Sequence, residues 1–158
     1  MKLWQKTTTS IDKRIERFTI GQDAVLDLVL APYDVLGTLA HITMLEEVGL
    51  LKKKELNKLR PALQQLYQKI QGEGFTIDDG VEDIHSQVEM LLTQELGEIG
   101  KKVHSGRSRN DQVLVDLRLY FRDELQQTVS GVQALFERLQ GLSEQHQDVL
   151  LPGYTHTQ

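Results

Sequence analysis

Apolar residues recur along most of this 158-residue chain at helical spacing, and no stretch shows the two-residue alternation of a strand. Ile11, Ile15 and Phe18 fall at i, i+4 and i+7, which predicts a short helix with Ser10 as N-cap, ended by Gly21. Residues 23–48 read as a helix broken or kinked at Pro32, because proline lacks an N–H and crowds the preceding turn. Leu36, Leu39, Ala40, Thr43 and Met44 form its predicted apolar stripe, and Gly49 stands where a C′ glycine is expected. A second helix is predicted from about Lys54 to Gln71, with Leu56, Leu59, Leu63, Leu66 and Ile70 on one face. Pro61 inside it demands a kink or a start near Arg60. Phe75 to Val81 is turn-like, and a third helix follows over residues 82–97 through Ile84, Val88, Leu91, Leu92 and Leu96. Gly97 and Gly100 bracket its end.

The longest pattern comes last. Leu114, Leu117, Phe121, Leu125, Thr128, Val132, Leu135, Leu139 and Leu142 step by three and four, which averages the 3.5-residue period of a bundle seam. Asn110 or Asp111 is its expected N-cap. A helix of this kind expects apolar partners, supplied by an oligomer or by further chain. The expected fold is all-α, with an N-terminal helical domain over residues 1–109 and the start of a central helical bundle over 110–158.

Composition narrows the function. With 18 Lys+Arg against 23 Asp+Glu, the net charge of −5 argues against generic binding to nucleic acid or an acidic membrane. Without cysteine there is no thiol nucleophile and no thiolate metal site. No apolar run is read as approaching the roughly 18 residues of a membrane span, and Met1 to Lys6 lacks the apolar core of a signal peptide, so a cytoplasmic location is expected. No phosphate-binding loop, dinucleotide fingerprint or nucleophile elbow is present.

Three polar clusters carry the candidate chemistry. Residues 104–112 (His-Ser-Gly-Arg-Ser-Arg-Asn-Asp-Gln) combine two arginines, two serines and an asparagine with the free N–H groups of a helix start, donors suited to one or two carboxylates. A solvated capping loop would use the same residue types. Asp83 and His85, in Glu82-Asp83-Ile84-His85, suit an acid/base pair or, equally, first-turn residues complementing a helix dipole. Thr155 and His156 follow the rigid Pro152-Gly153 turn, where a histidine beside a hydroxyl can act as a base. No histidine or carboxylate group shows a strong metal-ligand spacing, so no metal site is expected.

Taken in this order, the clusters resemble a known family. Residues 103–113 resemble the signature of the argininosuccinate lyases, Glu82 to His85 that family's Glu-Asp-x-His motif, and Pro152 to Gln158 its Pro-Gly-Tyr-Thr-His-x-Gln motif. Leu3-Trp4 is similar to its usual beginning. The resemblance implies the largely α-helical fold of the aspartase/fumarase superfamily, a homotetramer, and active sites built from three subunits. It also implies reversible β-elimination of argininosuccinate to arginine and fumarate, without metal or organic cofactor, in arginine biosynthesis. Carried over onto matching positions, Ser108, Arg109 and Asn110 would contact the succinate carboxylates and Thr155 would bind beside them. His156 would be the base or activate it, and Asp83 and His85 would form a polar pair at the guanidinium end.

Some positions depart from that pattern. Gln5-Lys6-Thr7-Thr8 replaces the usual Gly-Gly-Arg-Phe, and the family's early substrate-binding serine falls by spacing on Gly21 or Asp23. The family runs to about three times this length, beyond one ordinary domain, and its Gly-Ser-Ser-x-Met-Pro loop has no counterpart here. The expectation is therefore an N-terminal portion that does not catalyse the elimination alone. Rival readings are another fumarate-releasing lyase such as adenylosuccinate lyase or fumarase, a non-catalytic protein resembling δ-crystallin, and a bare helical assembly module.

Overall fold

The computed structural model describes residues 12, 14, 15, 18, 21–72, 74–150 and 152–156, and the described residues form helices and connections without a strand. The helices are α1 (Asp23–Glu47), α2 (Lys53–Gln71), α3 (Ile84–Leu96), the single turn α4 (Glu98–Lys101) and α5 (Arg109–Gln145), with a 3-10 turn over Lys102–His104. Arg14, Ile15 and Phe18 are helical, while the Ser10 cap expected for that segment lies outside the described residues. The all-α expectation is met. The chain divides into two compact units, Met1–Tyr120 and Phe121–Gln158.

In the first unit α1 packs against α2 and α3, and the core collects Ala31, Val35, Ile42 and Leu45 of α1 with Leu56, Leu59 and Leu63 of α2 and Ile84, Val88 and Leu92 of α3. The predicted face of α2 is therefore the buried one, apart from partly covered Ile70. The predicted stripe of α1 is not. Leu36 and Met44 are each 41% exposed, and with Leu39, Ala40 and Thr43 they line an open surface groove beside Arg60 and Gln64 of α2. The buried face is instead Ala31, Asp34, Val35, Thr38, Ile42 and Leu45, which follows the same three-and-four spacing one step round the helix. Two apolar stripes compete on α1, and the one that includes a carboxylate is the one that turns inward.

Both prolines sit inside unbroken helices. Pro32 lies within α1 and exposed Pro61 within α2, which starts at Lys53 rather than near Arg60. Each forfeits one ladder hydrogen bond, and burial of the flanking Ala31, Val35, Leu59 and Leu63 holds the adjacent turns. Gly49 ends α1 as expected, with φ at +80° and the amides of Leu50 and Leu51 returning to the Leu45 carbonyl.

The reading that no segment approaches a membrane span is corrected. By length and composition, α1 is apolar enough to cross a membrane, with a mean hydropathy of 1.4 in its best window. Its inward face is covered by α2 and α3.

In the second unit α5 continues from Phe121, and its apolar side chains stand open to solvent: Leu125 is 65% exposed, Leu135 60% and Leu139 56%. The long helix predicted from the seam is present, and the seam itself is uncovered.

One close approach fixes α4. A Cβ on Gly100 would lie 2.5 Å from the carbonyl carbon and oxygen of Leu92 and 2.5 Å from the Thr93 amide nitrogen. All three are backbone atoms of α3, which cannot swing aside as a side chain can. Gly100→Ala is expected to lower stability by about 1–3 kcal/mol through overpacking. Urea unfolding of the 158-residue chain measures this, and an unchanged midpoint with an unchanged slope would contradict it.

Candidate active site

The sequence builds this site at two helix starts and one helix middle. Asp83 caps α3: its Oδ1 accepts from the Ser86 amide at 2.7 Å, while Asp27 Oδ2 of α1 accepts from the Ile84 amide at 3.1 Å. The loop before α3 is held by Gln87, whose side chain accepts from the Asp78 amide and donates to the Asp78 carboxylate. The first turn of α5 is closed reciprocally. The Ser108 amide donates to Asp111 Oδ2 at 2.7 Å, and the Asp111 amide donates to Ser108 Oγ at 3.3 Å. The cap of α5 is thus Ser108, not Asn110 or Asp111 as expected, because Ser-x-x-Asp satisfies two amides where a later start would satisfy fewer.

Between these starts lies a buried polar cluster. His85 Nδ1 is 2.8 Å from Asp34 Oδ1 and 3.7 Å from Asp116 Oδ2, and all three side chains are at least 97% buried. Gln112 Nε2 donates to Asp34 Oδ1 at 3.4 Å, and Gln112 Oε1 is 3.0 Å from His104 Nδ1. Burial presses the Asp116 carboxyl up to about 7, helped by the charge of Asp34 and opposed by His85 and Arg107. Burial presses His85 down, but the Asp34 hydrogen bond and the charges of Asp34, Asp83 and Asp116 outweigh it, so its value rises. A cavity of about 110 Å³ lies beside Asp116, lined also by Gly37, His41, Arg107 and Gln112. A Cβ on Gly37 would stand 3.3 Å from Asp116 Oδ1, so glycine lets α5 settle against α1 there.

Arg109 joins the two helix starts. Its Nε is paired with Asp83 Oδ2 at 3.1 Å as an ion pair off hydrogen-bond alignment, Nη1 donates to Gln112 Oε1 at 3.1 Å, and Nη2 donates to Ser86 Oγ at 2.9 Å. Arg107 Nη2 donates to Thr38 Oγ1 at 2.8 Å, and its buried Nε has no hydrogen-bond partner among the described residues.

Of the residues singled out from sequence, Asp83, His85 and Arg109 are thus connected through Gln112 and Asp34. Ser108 and Asn110 sit exposed at the start of α5. Thr155 and His156 belong to the second unit, where both are exposed and His156 takes a left-handed φ of 51°. Sequence reasoning missed Asp34 and Asp116, while Arg107 was one of the two arginines read in the loop. The signal for Asp34 was a carboxylate inside an apolar helix pattern, and for Asp116 its place four residues after Gln112.

The proton balance of the cluster sets a pH dependence. Asp116 and His85 both hold protons more tightly folded than unfolded. Stability therefore falls as pH rises from the ordinary carboxylate value of 3.8 to about 7 for Asp116. The contribution of His85 is present below its ordinary 6.5 and is lost as pH rises through its folded value. Asp116→Asn removes the first slope and lessens the second, because the charge of Asp116 helps to raise His85. Its urea midpoint relative to the parent chain is expected to climb between pH 4 and about 7, and parallel curves would contradict that.

Comparison with known proteins places this arrangement. The lyase family profile matches residues 2–158. The chain is 53% identical over 157 residues to an argininosuccinate lyase of Bacteroides thetaiotaomicron, covering 99% of this chain and 35% of that protein. It is 54% identical over 157 residues to the one of Parabacteroides distasonis, with the same coverage. It is 40% identical over 156 residues to the one of Thermotoga neapolitana, covering 99% of this chain and 39% of that protein. The chain therefore spans about a third of the length of these curated relatives. Matched along all but its first residue, the chain belongs to the lyase family.

Proposed function

We propose that this chain supplies part of the active site of an argininosuccinate lyase, which reversibly eliminates fumarate from argininosuccinate to leave arginine. The observation that carries the reading is the joining of two helix starts, Asp83 to Ser86 on α3 and Ser108 to Gln112 on α5, through the Arg109 guanidinium. It is supported by the identity to argininosuccinate lyases along 99% of the chain.

The chemistry fits the residue types. A base takes the proton from the carbon beside one succinate carboxylate, and the carbanion is carried as an aci-carboxylate with two charges on its oxygens. Donors that tighten as this charge grows stabilise the transition state more than the ground state. Ser108 and Asn110, exposed at the N-terminal end of α5, are the donors assigned to that task. His85 and Asp83 serve the guanidinium end, where the leaving nitrogen takes up a proton. Thr155 and His156 contribute a further substrate contact and the base or its activator. Arg109, whose three nitrogens already face Asp83, Gln112 and Ser86, orders these groups and leaves the carboxylates to its neighbours. No metal or organic cofactor enters this scheme. The open apolar face of α5 is read as a bundle contact in a homotetramer, in the cytoplasm.

Fumarate release from argininosuccinate by the intact gene product is the test, with adenylosuccinate and malate as rival substrates. Ser108→Ala and Asn110→Ala are each expected to lower kcat/KM roughly 100-fold, the loss typical of one oxyanion donor. Undiminished turnover in both, or preference for a rival substrate, overturns the reading. The 158-residue chain alone is expected to release no fumarate, and release abolished by His156→Ala would contradict that. In sedimentation the chain is expected to self-associate through its α5 face, and Leu135→Lys with Leu139→Lys to reverse this. A parent chain that stays monomeric at high concentration would refute the bundle contact.

A further inference from the structure

We propose that Asp34 and Asp116 are positioning residues for His85: from two separate helices they hold its Nδ1, so that Nε2 is the nitrogen the imidazole presents to substrate as an N–H donor. The inference rests on the reading that His85 belongs to the active site, and adds two residues and an orientation to it.

The geometry is specific. Both carboxylate contacts of His85 are made by Nδ1, at 2.8 Å to Asp34 on α1 and 3.7 Å to Asp116 on α5. A carboxylate on one ring nitrogen fixes the ring plane and keeps that nitrogen protonated, which assigns the exchangeable role to the other. Asp34 Oδ2 and Asp116 Oδ2, the latter the oxygen that faces Nδ1, are buried without a hydrogen-bond partner among the described residues. Neither oxygen is therefore spent on a backbone amide, and both are left to act on the imidazole through their charge. Asp34 is itself steadied by Gln112, which also contacts Arg109 and His104, so the orientation of His85 is tied to the segment that carries Ser108 and Asn110.

The charged groups around His85 come from every element packed on it. Asp27 and Asp34 lie on α1, Asp83 caps α3, Asp116 lies on α5, and Arg107 precedes α5. Arg109 on α5 is paired with Asp83, so the four carboxylates still outnumber the two cations, and the imidazolium is the favoured form, in line with the raised value of His85.

Long-range proton–nitrogen correlation on the ¹⁵N-histidine-labelled 158-residue chain reads this directly and needs no turnover. In the parent chain both nitrogens of His85 are expected to be protonated at pH 7. Asp34→Asn is expected to lower the His85 midpoint by at least one pH unit, and Asp116→Asn to lower it by less, while His41 stays put. Circular dichroism checks that each variant is folded. A neutral His85 in the parent at pH 7, or one unprotonated at Nδ1, overturns the proposal even if neither variant folds. So does a midpoint that ignores a folded Asp34→Asn. In the intact gene product, Asp34→Asn is expected to lower kcat more than it raises KM, and to add no further loss to His85→Asn. Additive losses would reduce Asp34 to a structural acid and also refute the proposal. Absence of lyase activity would instead strike the functional reading and leave the titration result standing.

Discussion

The first unit turns on the contact between the Asp34 carboxylate and the His85 imidazole, 2.8 Å apart and almost fully enclosed. A carboxylate in the middle of α1 cannot face the core unless something there receives its charge. His85 does so from the second position of α3, which requires α3 to start where Asp83 caps it. Such a pair adds little net stability over an apolar one, yet leaving one member alone costs about 3–5 kcal/mol. Its effect is selective: packings of α1, α3 and α5 in which the two groups miss each other are penalised. Gln112 and Asp116 extend the constraint to α5, whose buried residues are those two polar ones.

How much of this could be read from the residues follows from what each pattern measures. Helix positions came from periodicity and glycine stops, and α2 and α3 were legible because each has one apolar face. For α1 the pattern was ambiguous. Leu36, Leu39, Ala40, Thr43 and Met44 follow helical spacing, and so do Ala31, Val35, Thr38, Ile42 and Leu45. The pairing of Asp34 with His85, 51 residues away, decides between the stripes, and no local pattern contains it. The break expected at Pro32 and the start expected near Arg60 are absent, since a local cost says nothing of the packing that offsets it. Two of the three clusters of residue types legible in the sequence, at residues 82–85 and 104–112, are joined in the first unit. The carboxylates of the site on α1 and α5 were not legible, because an aspartate in a helix is ordinarily a surface residue and burial cannot be read one residue at a time.

The two ends of α5 obey different physics under one seam. In its first turns Gln112 and Asp116 face inward, while Leu114 on the seam is 56% exposed. The same step pattern continues through Leu125, Leu135 and Leu139, exposed in the second unit. A helix that buries polar groups and exposes leucines has its apolar face reserved for contacts that the first unit does not make. In the proposed lyase the polar face is read as serving the site and the apolar face as serving assembly, so that a single helix would belong to both.

The hydrogen bonds of Arg109 bear on how an acidic chain would bind a dicarboxylate in the proposed lyase. Arg109 looks from sequence like the natural clamp, with a fork matched to a carboxylate. In the fold that fork is spent on Asp83, Gln112 and Ser86. Freed for a substrate carboxylate, it would leave Asp83 without its cation and Gln112 without a donor, loosening both helix starts at once. In the proposed lyase the charge of Arg109 would therefore act at one remove, by holding neighbouring groups in place. The donors left at the surface are neutral: the Ser108 hydroxyl, the Asn110 amide and the first N–H groups of α5. Asp111 already holds the Ser108 amide, and that hydrogen bond draws its carboxyl below the usual range. An arriving carboxylate meets a resident one, so it gains most from donors that strengthen as its own charge rises. That is the condition under which binding energy appears in the transition state rather than in the complex that precedes it.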